Sequence, residues 1–318
     1  MPKRDLIIAI AYRGDPMGLW VAINSIEFEL KKTKLNWAFS IFSNGEKLHT
    51  DAKQTLLMLR NNTKYLDYWE HSEESFTPQM ARTKAIENSD SEFIFCCDSH
   101  VLVCPDFFLR LMHDWEKTDA DVLHSCTQYY SEDIICYGYK LQLKSDFWGT
   151  SETIVRNEYK PFKVAAAGHG GVGFKRSSYN KYGGYYLSSS FVGYAGEELT
   201  YDLGVWLQGG TVWISPQALH RHWASITRGY ARHHSEDFYR NLFSCAFILA
   251  DETAENYVYK MSDHFKKFSR PFMKSRMFDL ISEARMRSKP AREWLRNKRL
   301  RPLEEQLKYF DENEIAYK

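Results

Sequence analysis

Apolar positions along the first hundred residues follow two alternating rhythms. LIIAIAY (6–12) is a near-continuous apolar run of strand length, whereas Leu19, Trp20, Ile23, Ile26 and Leu30 recur at the spacing of one helical face. AFSIF (38–42) reads as a second strand, closed by the turn residues Ser43, Asn44 and Gly45, and the segment 52–59 as a helix. YLDYW (65–69) is a short strand, Pro78 to Ile86 a helix entered through Thr77-Pro78, and EFIFCC (92–97) the next strand. Such a βαβαβαβ alternation predicts an α/β domain built on a parallel, doubly wound sheet, with ligands collecting at the carboxyl ends of the strands.

The second half is less regular. After a helix starting at Pro105, residues 121–145 carry two or three short strands and AAAGHGGVGF (165–174) is glycine-rich. Glu197 to Leu207 reads as a helix stopped by Gly209-Gly210, and TVWIS (211–215) as a strand. From about residue 235 the pattern is helical, with breaks expected at Pro271 and Pro290. These boundaries divide the chain into a catalytic-type domain over residues 1–250 and a helical extension over 251–318.

Composition fits a folded globular chain: 318 residues, 44% hydrophobic, 15% aromatic. No apolar run approaches the roughly 18 residues of a membrane span, and the short apolar N-terminal run reads as a first strand rather than a signal peptide. A cytoplasmic location is expected, the host cytoplasm if the chain is viral. The six cysteines show no metal-ligand spacing and read as reduced, mostly buried thiols. The net charge of +1 conceals an asymmetry: residues 266–301 hold thirteen Lys and Arg against three acidic residues, about +10, leaving about −9 elsewhere. A cationic extension interleaved with Phe265, Phe268, Phe272, Phe278 and Trp294 invites an anionic partner.

One stretch breaks the apolar rhythm. In FIFCCDSHVLV (93–103), Asp98 and His100 interrupt a run of the kind that fills a sheet interior, where an unpaired carboxylate is costly. Where the strand ends at Cys97, residues i and i+2 point the same way, and a carboxylate beside an imidazole suits a divalent ion of the Mn²⁺ or Mg²⁺ type with positions open for phosphate oxygens. A strand-end acid capping the next turn is the simpler alternative.

The N-terminal βαβ unit, PQMARTKAIENSDSEFIFCCDSH (78–100) and GEELTYDLGVWLQGGTVWISP (196–216) followed by histidines together resemble the GT-A glycosyltransferases over roughly residues 5–225. The polypeptide N-acetylgalactosaminyltransferases, which carry an Asp-x-His metal motif, are the closest likeness. The resemblance implies a mixed Rossmann-like sheet flanked by helices. It implies metal ligands Asp98, His100 and His222, with His220 as the alternate, and donor contacts from Ala11, Tyr12, Arg13, Arg82, Asp98, Gly170, Gly171 and Tyr194. Arg82, with Arg228 or Arg221 as weaker choices, would meet the diphosphate, and His169 would line the donor pocket. Tyr194 and Glu198 stand where the family has tryptophan and asparagine.

Glu197 and Glu198 open a helix, where the dipole favours a carboxylate whatever its function; the resemblance makes them the catalytic pair. The implied activity is metal-dependent transfer of a hexose from a UDP-sugar to a hydroxyl, with retention of configuration. If the enzyme inverts, one of the two glutamates is the base. For the acceptor, the basic segment points to nucleic acid, a hydroxymethylated pyrimidine in DNA of the kind phages modify. The alternatives are a glycan, a lipid-linked sugar or a protein hydroxyl, and a non-catalytic sugar-nucleotide-binding module. His233 and His234 read as structural.

Overall fold

The computed structural model of the chain describes residues 4–12, 15–44, 66–71, 77–87, 89–129, 134–141, 151–153, 159–193, 195–223, 235–269 and 271–305, with isolated positions 54, 57, 58 and 308. Arg13, Gly45, Tyr194, Arg228, His233, His234 and most of the helix expected over 52–59 lie outside them.

Strand β1 (Arg4–Tyr12) is flanked by β2 (Trp37–Asn44) and β4 (Ser91–Asp98), both parallel to it, and β3 (Leu66–His71) extends the sheet beyond β2. That half is the parallel arrangement its periodicity predicts. The other half makes the sheet mixed. Strand β11 (Gly171–Lys175) inserts antiparallel between β4 and β6 (Val122–Tyr129), and β12 (Val212–His222) runs parallel to β6 on its far side. β10 (Phe162–Lys163) closes that edge, giving the order β10-β12-β6-β11-β4-β1-β2-β3, with β5 (Val101–Val103) on β12 and β7 (Ile135–Cys136) on β6. A separate hairpin joins β8 (Tyr139–Leu141) to β9 (Ser151–Thr153).

Alternation along β1 distributes its side chains to two cores. Leu6, Ile8, Ile10 and Tyr12 join one cluster with α1 (Pro16–Leu30) and α3 (Phe107–Lys117). Ile7 and Ala9 join the other, with Ala81, Ala85 and Ile86 of α2 (Pro78–Glu87). Burial of each large aliphatic side chain contributes about 1.5–3 kcal/mol, which makes this strand a strongly determined element. A short helix α4 (Arg176–Lys181) follows β11.

A third core is built mainly by helices. Helix α5 (Glu197–Leu207) shares it with α6 (Glu236–Ala250), α7 (Ala254–Phe268) and α8 (Pro271–Arg296). The expected stop after α5 is present: Gly209 adopts φ +88°, and the N–H groups of Gly209 and Gly210 return to the carbonyls of Trp206 and Val205. Pro290 does not break the chain as expected; α8 runs through it. Pro290 and Met286, whose carbonyl it leaves without a helical N–H, both face solvent, where water meets the freed acceptor. All six cysteines are free thiols, five of them buried.

The basic segment is largely engaged within the fold. Arg276 pairs with Glu236, Arg285 with Glu255, and Arg292 and Arg296 with Asp251. Arg299 and Arg301 donate to the carbonyls of Leu249 and Gly209.

Candidate active site

Asp98 is the last residue of β4, level with Ala11 of β1 and one step beyond the Gly171–Cys97 pair with β11. The chain then turns and pairs β5 with the end of β12, so that Val101 stands opposite His222. This reversal brings together two histidines 122 residues apart in sequence: His100 Nε2 and His222 Nε2 lie 3.1 Å apart, and His222 Nε2 is 3.0 Å from Oδ2 of Asp98. His100 Nε2 is 3.8 Å from the same oxygen. One carboxylate oxygen and two imidazole nitrogens, all within 4.8 Å of one another, form a cation-ready cluster.

The donor set fits the group it was predicted to hold. Asp98 is three-quarters shielded; burial alone would raise its pKa, but the hydrogen bond with His222 and the charge of Arg82 hold it well below the usual carboxylate range. It is therefore ionised and available. Two imidazoles with one carboxylate suit Mn²⁺ better than Mg²⁺, which prefers an all-oxygen shell.

His220, the alternate ligand, is engaged by other side chains rather than by this cluster. Its Nδ1 is 2.8 Å from Ser125 Oγ and its Nε2 3.1 Å from Thr127 Oγ1, and burial lowers its pKa to about 3. Both ring nitrogens are thus occupied. Gly170 and Gly171 pack against it: a Cβ on Gly171 would lie 2.2 Å from Ser125 Oγ, and one on Gly170 3.0 Å from His220 Nε2 and 3.3 Å from His222 Cδ2. Gly171 opens β11.

Arg82, expected to reach a diphosphate, is 1% exposed and sits under Asp98. Its Nη2 donates to Asp98 Oδ1 at 2.6 Å and to the carbonyl of His169 at 3.0 Å. Nε and Nη1 find no partner among the described residues. Tyr12 turns wholly into the core below α1, leaving the partly exposed Ala11 at the strand end.

The two glutamates differ. Glu197 is 2% exposed and accepts from the N–H of Ala195 at 2.8 Å; burial raises its pKa to about 7, against hydrogen bonds from the main chain and Gln79. Glu198 is less enclosed. Burial first, then the charge of Glu197, raises its pKa to about 8, while Arg82 and the main chain at His169 pull it down. Its surroundings include Tyr129, Tyr139 and Asp98. The approach to this helix is strained at Ala195, φ +112°, and Gly196 follows at φ +80°.

A further group escaped the sequence reading. His124 of β6, Asp202 of α5 and His169 form a solvent-closed cluster. The signal was present, since His124 interrupts the apolar run VLHSC and Asp202 the apolar helix, as Asp98 interrupts its strand.

Residues 56–183 match glycosyl transferase family 2, a span holding Arg82, Asp98, His100, Gly170 and Gly171 but ending before Glu198 and His222. The whole fold superposes on GalNAc-T7, whose crystal structure contains UDP, GalNAc and Mn²⁺: TM-score 0.64 at 11% identity, over 99% of this chain and 58% of that one. The fold is that of a GT-A glycosyltransferase. TarS of S. aureus is a second likeness, with TM-score 0.56 at 14% identity, over 92% of this chain and 53% of that one. No curated protein matches by sequence. The family match covers well under half of this chain, and the chain spans somewhat over half the length of these two solved structures. No helix among the described residues of this GT-A chain is long and apolar enough to cross a membrane.

Proposed function

We propose that the protein transfers a sugar from a UDP-sugar to a hydroxyl acceptor, with Asp98, His100 and His222 holding Mn²⁺ and Glu198 as the general base. The convergence of these three ligands at the carboxyl end of β4, in a GT-A fold, carries the reading. A cation bound there supplies charge neutralisation to the departing diphosphate. Arg82 keeps Asp98 ionised and oriented, and Ala11 lines the nucleoside side with the main chain of β1. Glu197 is tied to its own helix start, which leaves Glu198 to take the acceptor proton; its pKa near 8 lies in the range useful for a base at neutral pH. A positioned base supports inversion over the retention that the resemblance implies.

The donor is favoured as UDP-linked by the likeness to GalNAc-T7, crystallised with UDP. A hydroxymethylated pyrimidine in DNA stays among the acceptors to assay. Its support is narrower than the segment's composition suggests and rests on the exposure of Lys267, Lys274 and Arg287 and of Phe272 and Phe278. The test is Mn²⁺-stimulated turnover of a panel of UDP-, GDP- and TDP-sugars, with NMR of the product anomer. Turnover of a UDP-sugar with an inverted product is expected; silence across the panel overturns the proposal, and a retained anomer removes Glu198 as base.

A further inference from the structure

Asp202 has no route to solvent. Ten of the eleven residues of α5 are buried, and the carboxylate, His124 and His169 are each 0% exposed, so its charge must be met inside the protein. Its Oδ1 lies 3.2 Å from Nε2 of His124 and 3.3 Å from Nε2 of His169, while Oδ2 accepts from the N–H of Ala167 at 2.9 Å. One tautomer serves Asp202 without an ion: each imidazole donates through Nε2, and Nδ1 of His169 accepts from the Tyr185 hydroxyl 3.2 Å away, which leaves Nδ1 of His124 without a partner among the described residues. The cluster resembles a metal site in composition and behaves as a hydrogen-bond network around one carboxylate.

What the network holds is main chain. The carbonyl of His169 accepts from Arg82 Nη2, the nitrogen that also grips Asp98. The carboxylate of Glu198 lies beside the same segment, its Oε2 4.0 Å from where a Cβ on Gly168 would stand. The segment 167–169 therefore adjoins both the partner of a metal ligand and the base. We propose that Asp202 is a positioning residue, whose carboxylate fixes the segment 167–169 through Ala167 and His169 and thereby sets both Arg82 against Asp98 and Glu198 in its reacting place. The proposal rests on the reading of Asp98 as a ligand and Glu198 as the base.

The consequence differs from that of a purely structural charge. Loosening the segment moves main chain at His169 that favours ionised Glu198, whose other charged or titratable neighbours among the described residues include Glu197, Arg82, Asp98, Tyr129 and Tyr139. Its pKa then rises, and the acid limb of the rate profile moves to higher pH. Asp202→Asn is a feasible probe, because His169 can shift its tautomer to accept from the new amide through Nε2 while its Nδ1–H donates to the Tyr185 oxygen 3.2 Å away.

The experiment compares wild type, Asp202→Asn and Tyr185→Phe by UDP-sugar turnover across pH, thermal melting, and Mn²⁺ titration followed by electron paramagnetic resonance without donor. Asp202→Asn is expected to fold, to lose about tenfold or more in kcat with little change in donor KM, and to move the acid limb upward. Tyr185→Phe should move the same limb by less. A folded Asp202→Asn with wild-type kcat and an unmoved limb overturns the proposal; if that variant fails to fold, an unmoved limb in Tyr185→Phe does so. Should wild type turn over no donor, the function reading fails separately. Mn²⁺ affinity then decides for the Arg82–Asp98 arm: weaker binding by Asp202→Asn, or by Tyr185→Phe if Asp202→Asn does not fold, supports it and unchanged binding overturns it.

Discussion

The chemistry of the site comes from polar residues placed where the surrounding sequence demands apolar ones. Asp98 stays ionised because His222, Arg82 and His100 offset its desolvation, so the variants that test it are those that remove a partner. His222→Ala should weaken Mn²⁺ binding by more than about 100-fold, above the usual effect of outer contacts, while His220→Gln should cost less than about tenfold. Equal losses in a calorimetric titration would place His220 among the ligands. Glu198→Gln should lower kcat by about 10²–10⁴ with donor KM retained. Burial and Glu197 raise the Glu198 pKa, so the wild-type rate should fall as pH drops through a limb at or below about 8, a bound cation drawing it downward. A profile flat to well below neutral pH would exclude this base. Asp98 and His100 were legible because a carboxylate inside FIFCC contradicts its own neighbourhood. His124 and Asp202 carry the same contradiction, but no motif joined them, and their partnership exists only across β6, α5 and the segment between.

Elements place these residues through close backbone approach and ionic ties. Gly170→Ala would set a methyl 3.3 Å from the His222 ring, so several-fold weaker Mn²⁺ binding with a nearly unchanged melting temperature is expected. Gly171→Ala, meeting Ser125 at 2.2 Å, should instead lower the melting temperature. Identical behaviour of the two would count against this division. The helices from α6 to α8 are tied at Asp251, where hydrogen bonds from Arg296 and Arg292 lower its pKa to about 2. A depressed carboxylate stabilises the fold above its unfolded value near 3.8 and loses that contribution as pH falls toward 2. Asp251→Asn should therefore cost about 1–2 kcal/mol at neutral pH, discounted because Arg296 is half exposed, and the gap to wild type should narrow in acid. Denaturant titrations at neutral pH and near pH 3 measure both. Element types in the first half were readable because strand and helix periods alternate cleanly. The antiparallel β11 was not, since AAAGHGGVGF carries no period, and neither was the passage of α8 through Pro290, which depends on the side of the helix the ring occupies.

At the scale of the molecule, one mixed sheet separates two cores, and a third core joins α5 to the C-terminal helices. The charge asymmetry visible in composition is largely an internal device, because several of the basic residues of segment 266–301 bind carboxylates and carbonyls of the same fold. Sequence counts charges and cannot show which are already paired. Mn²⁺ at about 100 times its Kd should stabilise the folded protein by about 2.7 kcal/mol, provided that the unfolded chain does not bind it. A chelator should lower the melting temperature accordingly, and an unchanged melt would remove the cation from the native structure.

The pairing of β5 with the end of β12 gives this effect a kinetic side. Asp98 and His100 are local to one another, but His222 arrives only when a chain loop of more than 120 residues closes, and contacts of that range form late and slowly. Capture of Mn²⁺ during refolding should therefore lag behind the return of helical circular dichroism. A fragment ending at residue 183 would retain the family 2 match and yet never assemble the three-ligand cluster, so that tight metal uptake reports on the finished topology of the chain.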